Sequence, residues 1–297
     1  RDWYHGIYLI NVSGATIDRV STKSNYENGI RIEDSSDVRV EEVVAEKNDR
    51  YYLSHLILIS GSTNVTVADL EVYSLNSWTA GIFCRDSSEI RILNYTARGR
   101  SESIGIMLLR ASNVLIDNAD ISGFDSYGGG DGGVGIALYS LEDYWQNNLR
   151  NITILNSRIT DNYFGIGTRE GIEEAIESVN GLTIKNTTIA DNKWSGIYIS
   201  GVKSVTDVTI ENSTIANSTI EALQISGVGI YISSVNSLTN FTIRNSIIAN
   251  NREFGIYISR VDNLANLTIE NTTIANTNDY RCGIYIQSAG GSIIRNN

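Results

Sequence analysis

The sequence predicts an all-β solenoid, a rod of stacked parallel coils, and three observations support this prediction. A motif of about 23–27 residues recurs along the chain. The 297 residues include no proline, a residue that cannot donate to a hydrogen-bond ladder. They include 31 asparagines, which tolerate the left-handed backbone of tight turns. Many turns without proline are typical of a chain in which nearly every strand is hydrogen-bonded to a neighbouring strand on both sides.

The repeat is clearest in three copies toward the C-terminal end. They begin at Leu182, Phe241 and Leu267, with the sequences LTIKNTTIADNKWSGIYI, FTIRNSIIANNREFGIYI and LTIENTTIANTNDYRCGIYI. Each copy predicts three short strands, LTI, TIA and GIYI, joined by turns that contain Asn. Strands this short cannot bury a face alone. Stacked coil on coil, they place the inward Ile, Val and Leu in one continuous core.

This repeat resembles that of the right-handed parallel β-helix proteins of the pectin-lyase-like superfamily, over essentially the whole chain. The number of repeats predicts a single domain, residues 1–297, of about 10–11 coils with three short strands each. No capping helix is evident in the sequence, so the ends are expected to be uncapped. At a strand spacing of ~4.8 Å, such a rod is roughly 50 Å long. The resemblance implies no activity, because the fold carries lyases, hydrolases, epimerases, adhesins and tail spikes. The stretch REGIEEAIESVNG from Arg169 has helical character and predicts a helix in an inserted loop.

Composition and charge exclude several classes of function. A net charge of −11 argues against nucleic acid or an anionic membrane as the main partner. No apolar run is long enough for a transmembrane helix, so no membrane insertion is expected. Cys84 and Cys282 are predicted to lie roughly 30 Å apart, too far for a disulfide, with Cys84 a buried free thiol. His5 and His55 form no ligand cluster with them, and no cofactor or metal is expected.

No catalytic motif is evident in the sequence. The pectin-degrading hydrolases of the superfamily would carry an Asp trio, Gly-His-Gly and Arg-x-Lys, and none is present. Acidic residues on different coils favour solvated surface charge, although stacking could pair carboxylates; they include Asp18, Glu41, Asp69 and Asp117. The glycine-rich stretch 124–136 with Asp131 faintly resembles a calcium-binding repeat, but a flexible loop is favoured. The protein is therefore predicted not to be an enzyme.

The outward position of the GIxI strands predicts an aromatic column. It is occupied by Tyr8 in the first coil and by Tyr198, Tyr231, Tyr257 and Tyr285 in the later coils. In the middle coils the predicted occupants are Arg31, Ile57, Phe83, Met107, Ala137 and Gly167. The column could bind sugar rings or could be a structural side-chain stack, and the structural alternative is favoured.

Potential N-glycosylation sites of the form Asn-x-Ser/Thr cluster at the predicted turns. They are Asn11, Asn64, Asn94, Asn151, Asn186, Asn212, Asn217, Asn240, Asn266 and Asn271. In a secreted protein, covalent N-glycans are expected on several of them.

The two ends of the sequence predict self-association. The chain opens with RDWYHGIYL, the second half of a coil, and closes with SIIRNN, the first half. One explanation is head-to-tail polymerisation, with each junction completing a coil; the other is that the chain is a segment of a longer β-helix. The predicted junction residues are Arg1, Trp3, Tyr4, His5, Ile7, Tyr8, Leu9, Tyr285, Ile293, Ile294, Arg295, Asn296 and Asn297.

The matching ends of the chain favour a structural function. The protein is expected to be a subunit of an extracellular filament or cell-surface fibre, with itself as its partner. The alternatives are a carbohydrate-active β-helix enzyme (a polysaccharide lyase, hydrolase or epimerase) and a carbohydrate-binding adhesin rod.

Overall fold

Three parallel strand ladders wind around one apolar core. The computed structural model describes residues 5–46, 55–73, 75, 79–99, 102–125, 133–139, 147–168, 176–219, 227–275, 282–287 and 292–295. The strands of these residues pair in parallel with their counterparts one coil away. Inward Ile, Val and Leu of all three ladders form one cluster along the rod. The prediction of a parallel β-solenoid with three strands per coil is therefore confirmed.

Ladder A contains the GIxI strands, ladder B the LTI strands and ladder C the TIA strands, and several long strands take part in two ladders. Ladder A consists of β1 (His5–Ile10), β4 (Asn28–Glu33), β6 (Ile57–Ser60), β8 (Ala80–Arg85), β10 (Ile104–Leu109), β13 (Val134–Ala137), β16 (Phe164–Gly167), β25 (Ile284–Ile286) and the first parts of β19 (Ser195–Glu211), β21 (Val228–Arg244) and β23 (Phe254–Glu270). Ladder B consists of β2 (Thr16–Asp18), β11 (Ser112–Asp117), β14 (Asn147–Leu155), β17 (Ile176–Lys185), β26 (Ser292–Arg295), the second parts of β19, β21 and β23, and the first parts of β5 (Ser36–Glu46), β7 (Thr63–Tyr73) and β9 (Ser88–Arg98). Ladder C consists of β3 (Ser21–Lys23), β12 (Asp120–Ser122), β15 (Arg158–Thr160), β18 (Thr188–Ala190), β20 (Thr214–Ala216), β22 (Ile247–Ala249), β24 (Thr273–Ala275) and the last parts of β5, β7 and β9.

The glycine of the GIxI motif is required by the close approach of neighbouring coils. A Cβ atom added to Gly229 would lie 2.6 Å from the backbone oxygen of Gly255 in the next coil. Because that oxygen belongs to the ladder, it cannot move aside without breaking the stack. The glycine therefore sets the spacing at the start of those ladder A strands that carry the motif.

The corners of the coils are built by Asn and Asp in the left-handed region, as the composition predicts. Asn240 and Asn266 both have φ of 55° and occupy the same corner of successive coils. The Asn266 amide Nδ2 donates to Oδ1 of Asn240 at 3.0 Å, and Asn240 donates in turn to Asp207 at 2.8 Å. The asparagine side chains thus extend the hydrogen-bonded stack from the strands to the corners.

The predicted helix from Arg169 is wrong where the structure describes it. Residues from Ile176 belong to β17, which pairs with β14 and β19; residues 169–175 lie outside the described ranges. The apolar positions of this stretch, such as Val179 beside Val205, are used by the ladder rather than by a helical face. Tertiary pairing has overridden the local helical spacing. Within the described ranges, no helix is long and apolar enough to cross a membrane.

The cysteines agree with the sequence analysis. Cys84 is a free, fully buried thiol of β8, aligned with Ile59 in the preceding coil. Burial raises its pKa to about 12, so it is an unreactive apolar side chain. Cys282 is exposed and also free.

Candidate functional site

The outward positions of ladder A form one column along the described rod. In coil order it contains Tyr8, Arg31, Leu58, Phe83, Met107, Ala137, Gly167, Tyr198, Tyr231, Tyr257 and Tyr285. The prediction for the third coil was wrong. Leu58 occupies the outward position, whereas Ile57 aligns with the buried Ile30 and Ile82 of the adjacent coils.

The middle of this column is buried although it faces away from the core. The exposed fractions of Leu58, Phe83 and Met107 are 5%, 0% and 1%. The ring of His55 packs edge-on against Phe83, with centroids 4.8 Å apart, and its Nδ1 accepts the Ala80 N–H at 3.1 Å. The accessible parts of the column therefore lie toward its two ends.

The C-terminal part of the column is a stack of four tyrosine rings. Successive centroids of Tyr198, Tyr231, Tyr257 and Tyr285 are 5.1, 5.2 and 5.0 Å apart, and successive planes differ by 10°, 11° and 9°. Each ring covers the face of its neighbour, so ring edges rather than ring faces are turned to solvent. This geometry favours the structural alternative over a platform on which sugar rings stack.

Buried aromatic side chains support the first ring of the stack. Tyr198 is 4% exposed, and its ring lies 4.7 Å from that of Phe164 and 5.0 Å from that of Trp194. Trp194, itself 4% exposed, also contacts Tyr231 at 5.4 Å. The tyrosine stack is therefore continuous with an apolar aromatic cluster.

The N-terminal part of the column is polar and open. The Tyr8 ring is exposed, and its hydroxyl donates to Oε2 of Glu33 at 2.5 Å. The Arg31 guanidinium lies 5.1 Å from the Tyr8 centroid, and its Nη2 is 2.8 Å from the same carboxylate oxygen. A phenol, a guanidinium and a carboxylate thus meet between two adjacent coils.

Two further polar residues extend this group over the next coils. Ser60 aligns with Glu33 on one side and with Arg85 on the other. The Arg85 Nε donates to the Ser60 hydroxyl at 2.9 Å. We call the residues Tyr8, Arg31, Glu33, Ser60 and Arg85 the Tyr8 cluster.

The protonation states of the Tyr8 cluster follow from its hydrogen bonds. The hydrogen bond from Tyr8 lowers the pKa of Glu33; Arg31 and Arg85 act in the same direction, and partial desolvation opposes them. The same hydrogen bond, followed by desolvation, raises the pKa of Tyr8. At neutral pH the cluster therefore holds an ionised carboxylate beside a protonated phenol.

His5 supports the first coil rather than completing the cluster. Its Nδ1 accepts the Asn28 backbone N–H at 3.4 Å, and its Nε2 lies 3.4 Å from Oε2 of Glu27. Desolvation lowers the pKa of His5 more than Glu27 raises it. The ring packs edge-on against Tyr8, with centroids 5.1 Å apart.

The predicted junction residues are only partly described. Ile7, Tyr8 and Leu9 belong to β1, which pairs with β4. Ile293, Ile294 and Arg295 belong to β26, which pairs with β23. Five predicted junction residues lie outside the described ranges, namely Arg1, Trp3, Tyr4, Asn296 and Asn297. The head-to-tail filament stays a prediction, which electron microscopy of the purified protein would test.

All ten potential glycosylation sites lie at exposed corners, with φ between 48° and 57°. Seven of them donate a hydrogen bond from Nδ2 to an Asn or Asp of the preceding coil, namely Asn64, Asn94, Asn151, Asn186, Asn217, Asn240 and Asn266. Their predicted position at turns is observed, and the attachment of glycans stays a prediction.

The acidic residues noted in the sequence form surface ion pairs or accept hydrogen bonds at the corners. Asp18 pairs with Arg19 at 2.9 Å, and Glu41 pairs with Arg39. Asp69 and Asp117 accept hydrogen bonds from corner asparagines of the next coil. Among the residues that the structure describes, no group of three or more His, Cys, Asp and Glu could hold a metal, and Asp131 lies outside them.

Sequence reasoning placed Tyr8 and Arg31 in the column but missed the rest of the cluster. Glu33, Ser60 and Arg85 occupy the next outward position, two residues further along each strand. The signal was present, because strand alternation of period two marks both positions as outward. Which side chains bond between coils could not be derived from that alternation.

Comparisons with known proteins agree with the architecture. The periplasmic alginate epimerase AlgG superposes with a TM-score of 0.55 at 11% identity, covering 98% of this chain and 78% of that chain. Pectate lyase Pel9A gives 0.54 at 14% identity, covering 97% and 74%. An alginate lyase from Paenibacillus sp. str. FPU-7 gives 0.50 at 12% identity, covering 93% and 99%. At these identities the likeness shows the fold alone.

The family assignment comes from the sequence itself. A search of curated proteins found no significant match. The profile of the family described as "Right handed beta helix region" matches residues 1–104, 53–201 and 170–297. Together these overlapping matches span the chain, and the protein belongs to the right-handed β-helix family.

Proposed function

We propose that this protein is a carbohydrate-active β-helix protein that contacts a polysaccharide through the Tyr8 cluster. The observation that carries the proposal is an exposed aromatic ring beside a guanidinium and a carboxylate, continued by Ser60 and Arg85 along the rod. An apolar ring with a few planar hydrogen-bonding groups is a set that can orient a polar ligand. Its extension over several coils suits a chain better than a single sugar.

The Tyr8–Glu33 pair gives the cluster the means to transfer protons. The ionised carboxylate is an acceptor and the phenol is a donor, and the two share a short hydrogen bond. In a uronate polymer, abstraction of the proton next to the sugar carboxylate requires a base, an acid and a cation near that carboxylate. Tyr8, Glu33 and Arg31 supply these three chemical types within two coils.

Three proteins with the same fold support a uronate polymer as the first ligand to test. Their names are those of an alginate epimerase, a pectate lyase and an alginate lyase. This similarity supports the carbohydrate alternative more than the filament, and it supports an extracellular or periplasmic location. The net charge of −11 disfavours polyanions in general, but the Tyr8 cluster itself holds two guanidiniums and one carboxylate, and charges beyond about 8–10 Å are largely screened at physiological salt.

Binding to alginate and polygalacturonate, measured by calorimetry with dextran as the neutral control polymer, tests the proposal. We expect Arg85→Ala to weaken binding about tenfold or more, because it removes one guanidinium from the cluster. Arg39→Ala is the matched control, since Arg39 lies on ladder B and pairs with Glu41. Equal effects of the two substitutions, or no binding of either acidic polymer, would contradict the proposed site.

Turnover is followed separately from binding. Ultraviolet absorbance reports the unsaturated sugar left by a lyase, and proton NMR reports an epimerised residue. We expect Glu33→Gln to abolish either signal while retaining most of the binding, because the amide cannot accept the abstracted proton. Binding without turnover in the wild type would restrict the protein to carbohydrate binding.

A further inference from the structure

A face of ladder B carries a column of alternating charges. Lys185, Glu211, Arg244, Glu270 and Arg295 occupy the same outward position in five successive coils. We call these residues the charge column. Their signs alternate without interruption from one coil to the next. Parallel in-register stacking would otherwise place like charges about 4.8 Å apart, so the alternation removes a repulsion.

The charge column is already paired along its own length. The Lys185 Nζ lies 3.0 Å from Glu211 Oε2, and the Arg244 Nε lies 3.2 Å from Glu211 Oε1. The hydrogen bond from Lys185, opposed by desolvation and aided by Arg244, lowers the pKa of Glu211, so this carboxylate is ionised at neutral pH. An ammonium has three donors and a carboxylate about four acceptor sites, so these contacts leave capacity for partners from outside.

The surface beside the charge column is flat. A threonine lies two residues before Lys185, Glu211, Arg244 and Glu270, whereas Ile293 occupies this position before Arg295. With Thr153 of the preceding coil, these threonines form a Thr column of Thr153, Thr183, Thr209, Thr242 and Thr268. Their side chains are half-buried and short. A threonine side chain is shorter than a lysine or arginine side chain, so the charged side chains extend further from the sheet than the Thr column. Long charged side chains can therefore reach across to a second flat sheet at the ~10 Å spacing of packed sheets.

We propose that this face of ladder B binds the same face of a second copy of the chain in an antiparallel two-fold dimer. The two-fold axis runs parallel to the strands, between the coils of Glu211 and Arg244. This operation keeps each charge column opposite the other and reverses the order of the coils. Lys185 then faces Glu270 of the second copy, and Glu211 faces Arg244 of the second copy.

The alternation makes this arrangement fully complementary. Each of the two pairs occurs twice by symmetry, so four opposite-charge contacts form and no like charges meet. A two-fold axis passing through the coil of Arg244 would instead set every charge against its own sign. An axis between the coils of Arg244 and Glu270 would also set only opposite charges against each other. Sign order therefore restricts the axis to positions between coils, independently of the proposed carbohydrate function, and the charge reversals described below select the axis between Glu211 and Arg244.

The size of the face limits the strength of the dimer. The four coils from Lys185 to Glu270 span about 14 Å along the rod at the usual strand spacing. Such a patch is well below the ~800 Å² per partner of a standard interface. We expect a weak dimer that depends on protein concentration and dissociates as salt is raised.

Potential glycosylation sites border the same face. Asn186, Asn212 and Asn271 each follow a member of the charge column directly and are exposed. A glycan on any of them would stand at the rim of the contact. The test therefore uses the full chain made in bacteria, without glycans.

Two charge reversals provide a specific test. In Glu211→Lys the introduced lysine faces Arg244 of the second copy twice, and in Arg244→Glu the introduced glutamate faces Glu211 of the second copy twice. Each variant alone should dimerise about tenfold more weakly or worse, because two attractive pairs become repulsive. Mixed in equal amounts, the variants restore all four opposite-charge pairs. Dimerisation in the mixture should return to within about twofold of the wild-type level, because only mixed pairs form.

Sedimentation velocity over a concentration series, at low and high salt, measures these outcomes, and circular dichroism checks that each variant is folded. A wild type that stays monomeric at every concentration would overturn the proposal. So would variants that dimerise like the wild type, or a mixture that stays monomeric. Growth beyond the dimer that Glu211→Lys suppresses would also overturn it, because a two-fold contact closes, whereas head-to-tail growth would not involve the charge column. If a variant fails to fold, the salt dependence of the wild type still tests the proposal, because a dimer that persists at high salt would overturn it.

Discussion

At its two accessible ends, the ladder A column is joined from coil to coil by different contacts. In the C-terminal coils the column repeats one residue type, and the tyrosine rings stack on one another at 5.0–5.2 Å. In the N-terminal coils the residue type changes at every step. A hydrogen bond joins Tyr8 to Glu33 between coils, and Arg31 pairs with Glu33 within its own strand. The first arrangement covers the ring faces of its members and leaves few of them for a ligand.

This difference between the two ends indicates which part of a solenoid surface is available for ligand binding. Identical residues at one position give contacts that stabilise the rod and use up the ring faces. Different residues at one position leave an exposed aromatic ring and charged groups whose hydrogen-bonding capacity is larger than their mutual contacts require. We therefore expect substitutions in the C-terminal part to affect stability, and substitutions in the N-terminal part to affect ligand binding.

The largest expected effect comes from breaking the glycine spacing on which the tyrosine stack rests. In Gly229→Ala the new Cβ would lie 2.6 Å from the Gly255 backbone oxygen and 2.7 Å from the Asn251 amide nitrogen. Relief requires a shift of the ladder, so we expect a loss of about 3 kcal/mol in the free energy of unfolding. Chemical denaturation followed by circular dichroism measures this loss.

A glycine of the same ladder provides the control. At Gly167 an added Cβ would meet Phe164 at 3.4 Å, an ordinary contact distance. Gly167→Ala should therefore change the free energy of unfolding by less than about 1 kcal/mol. Equal losses in Gly229→Ala and Gly167→Ala would show that close approach is not what the glycine provides.

A smaller loss in the free energy of unfolding is expected to distinguish the two ends of the column. Tyr231→Ala removes a half-buried ring that stacks against Tyr198 and Tyr257, and we expect a loss of about 2 kcal/mol. Tyr8→Ala removes a ring that is 44% exposed and should cost less than about 1 kcal/mol. The comparison fails if Tyr8→Ala proves as destabilising as Tyr231→Ala.

The smallest effect is the pH dependence that Glu33 contributes in the N-terminal part. The folded pKa of Glu33 is lowered, so its contribution to stability is present above its unfolded pKa and is lost as pH falls through the folded pKa. Because the side chain is partly exposed, we expect less than about 1 kcal/mol. Tyr8→Phe, which removes the hydrogen bond, should reduce this acid-dependent loss. Denaturation midpoints from neutral to acid pH would show no difference between Tyr8→Phe and the wild type if the hydrogen bond contributes nothing.

The sequence allowed the fold to be predicted because each coil repeats the same inward Ile and corner Asn. It failed where a local cue was missing. In LILI, Leu56 stands in place of the glycine that marks the start of other ladder A strands, so the position of Ile57 was shifted by one residue. In the stretch after Arg169, acidic residues at helical spacing concealed a strand whose register is set only by β14 and β19.

The candidate site was less predictable for a different reason. Alternation says that Tyr8, Arg31 and Glu33 point outward, but the partners they choose depend on side-chain rotamers across two coils. The burial of Phe83 under residues such as His55 was equally hidden, since that contact is made outside the repeat. A repeat pattern describes what successive coils have in common, and the site is built from their differences.

The alternating signs of the charge column restrict how many coils this stretch of the rod can lose or gain. Excising one coil, residues 212–244, would bring Glu211 directly beneath Glu270, and the two carboxylates would repel at strand spacing. Excising two coils, residues 212–270, would bring Glu211 beneath Arg295 and keep the signs in order. This stretch of the chain can therefore gain or lose coils comfortably only in even numbers, a constraint on its length that no single coil carries.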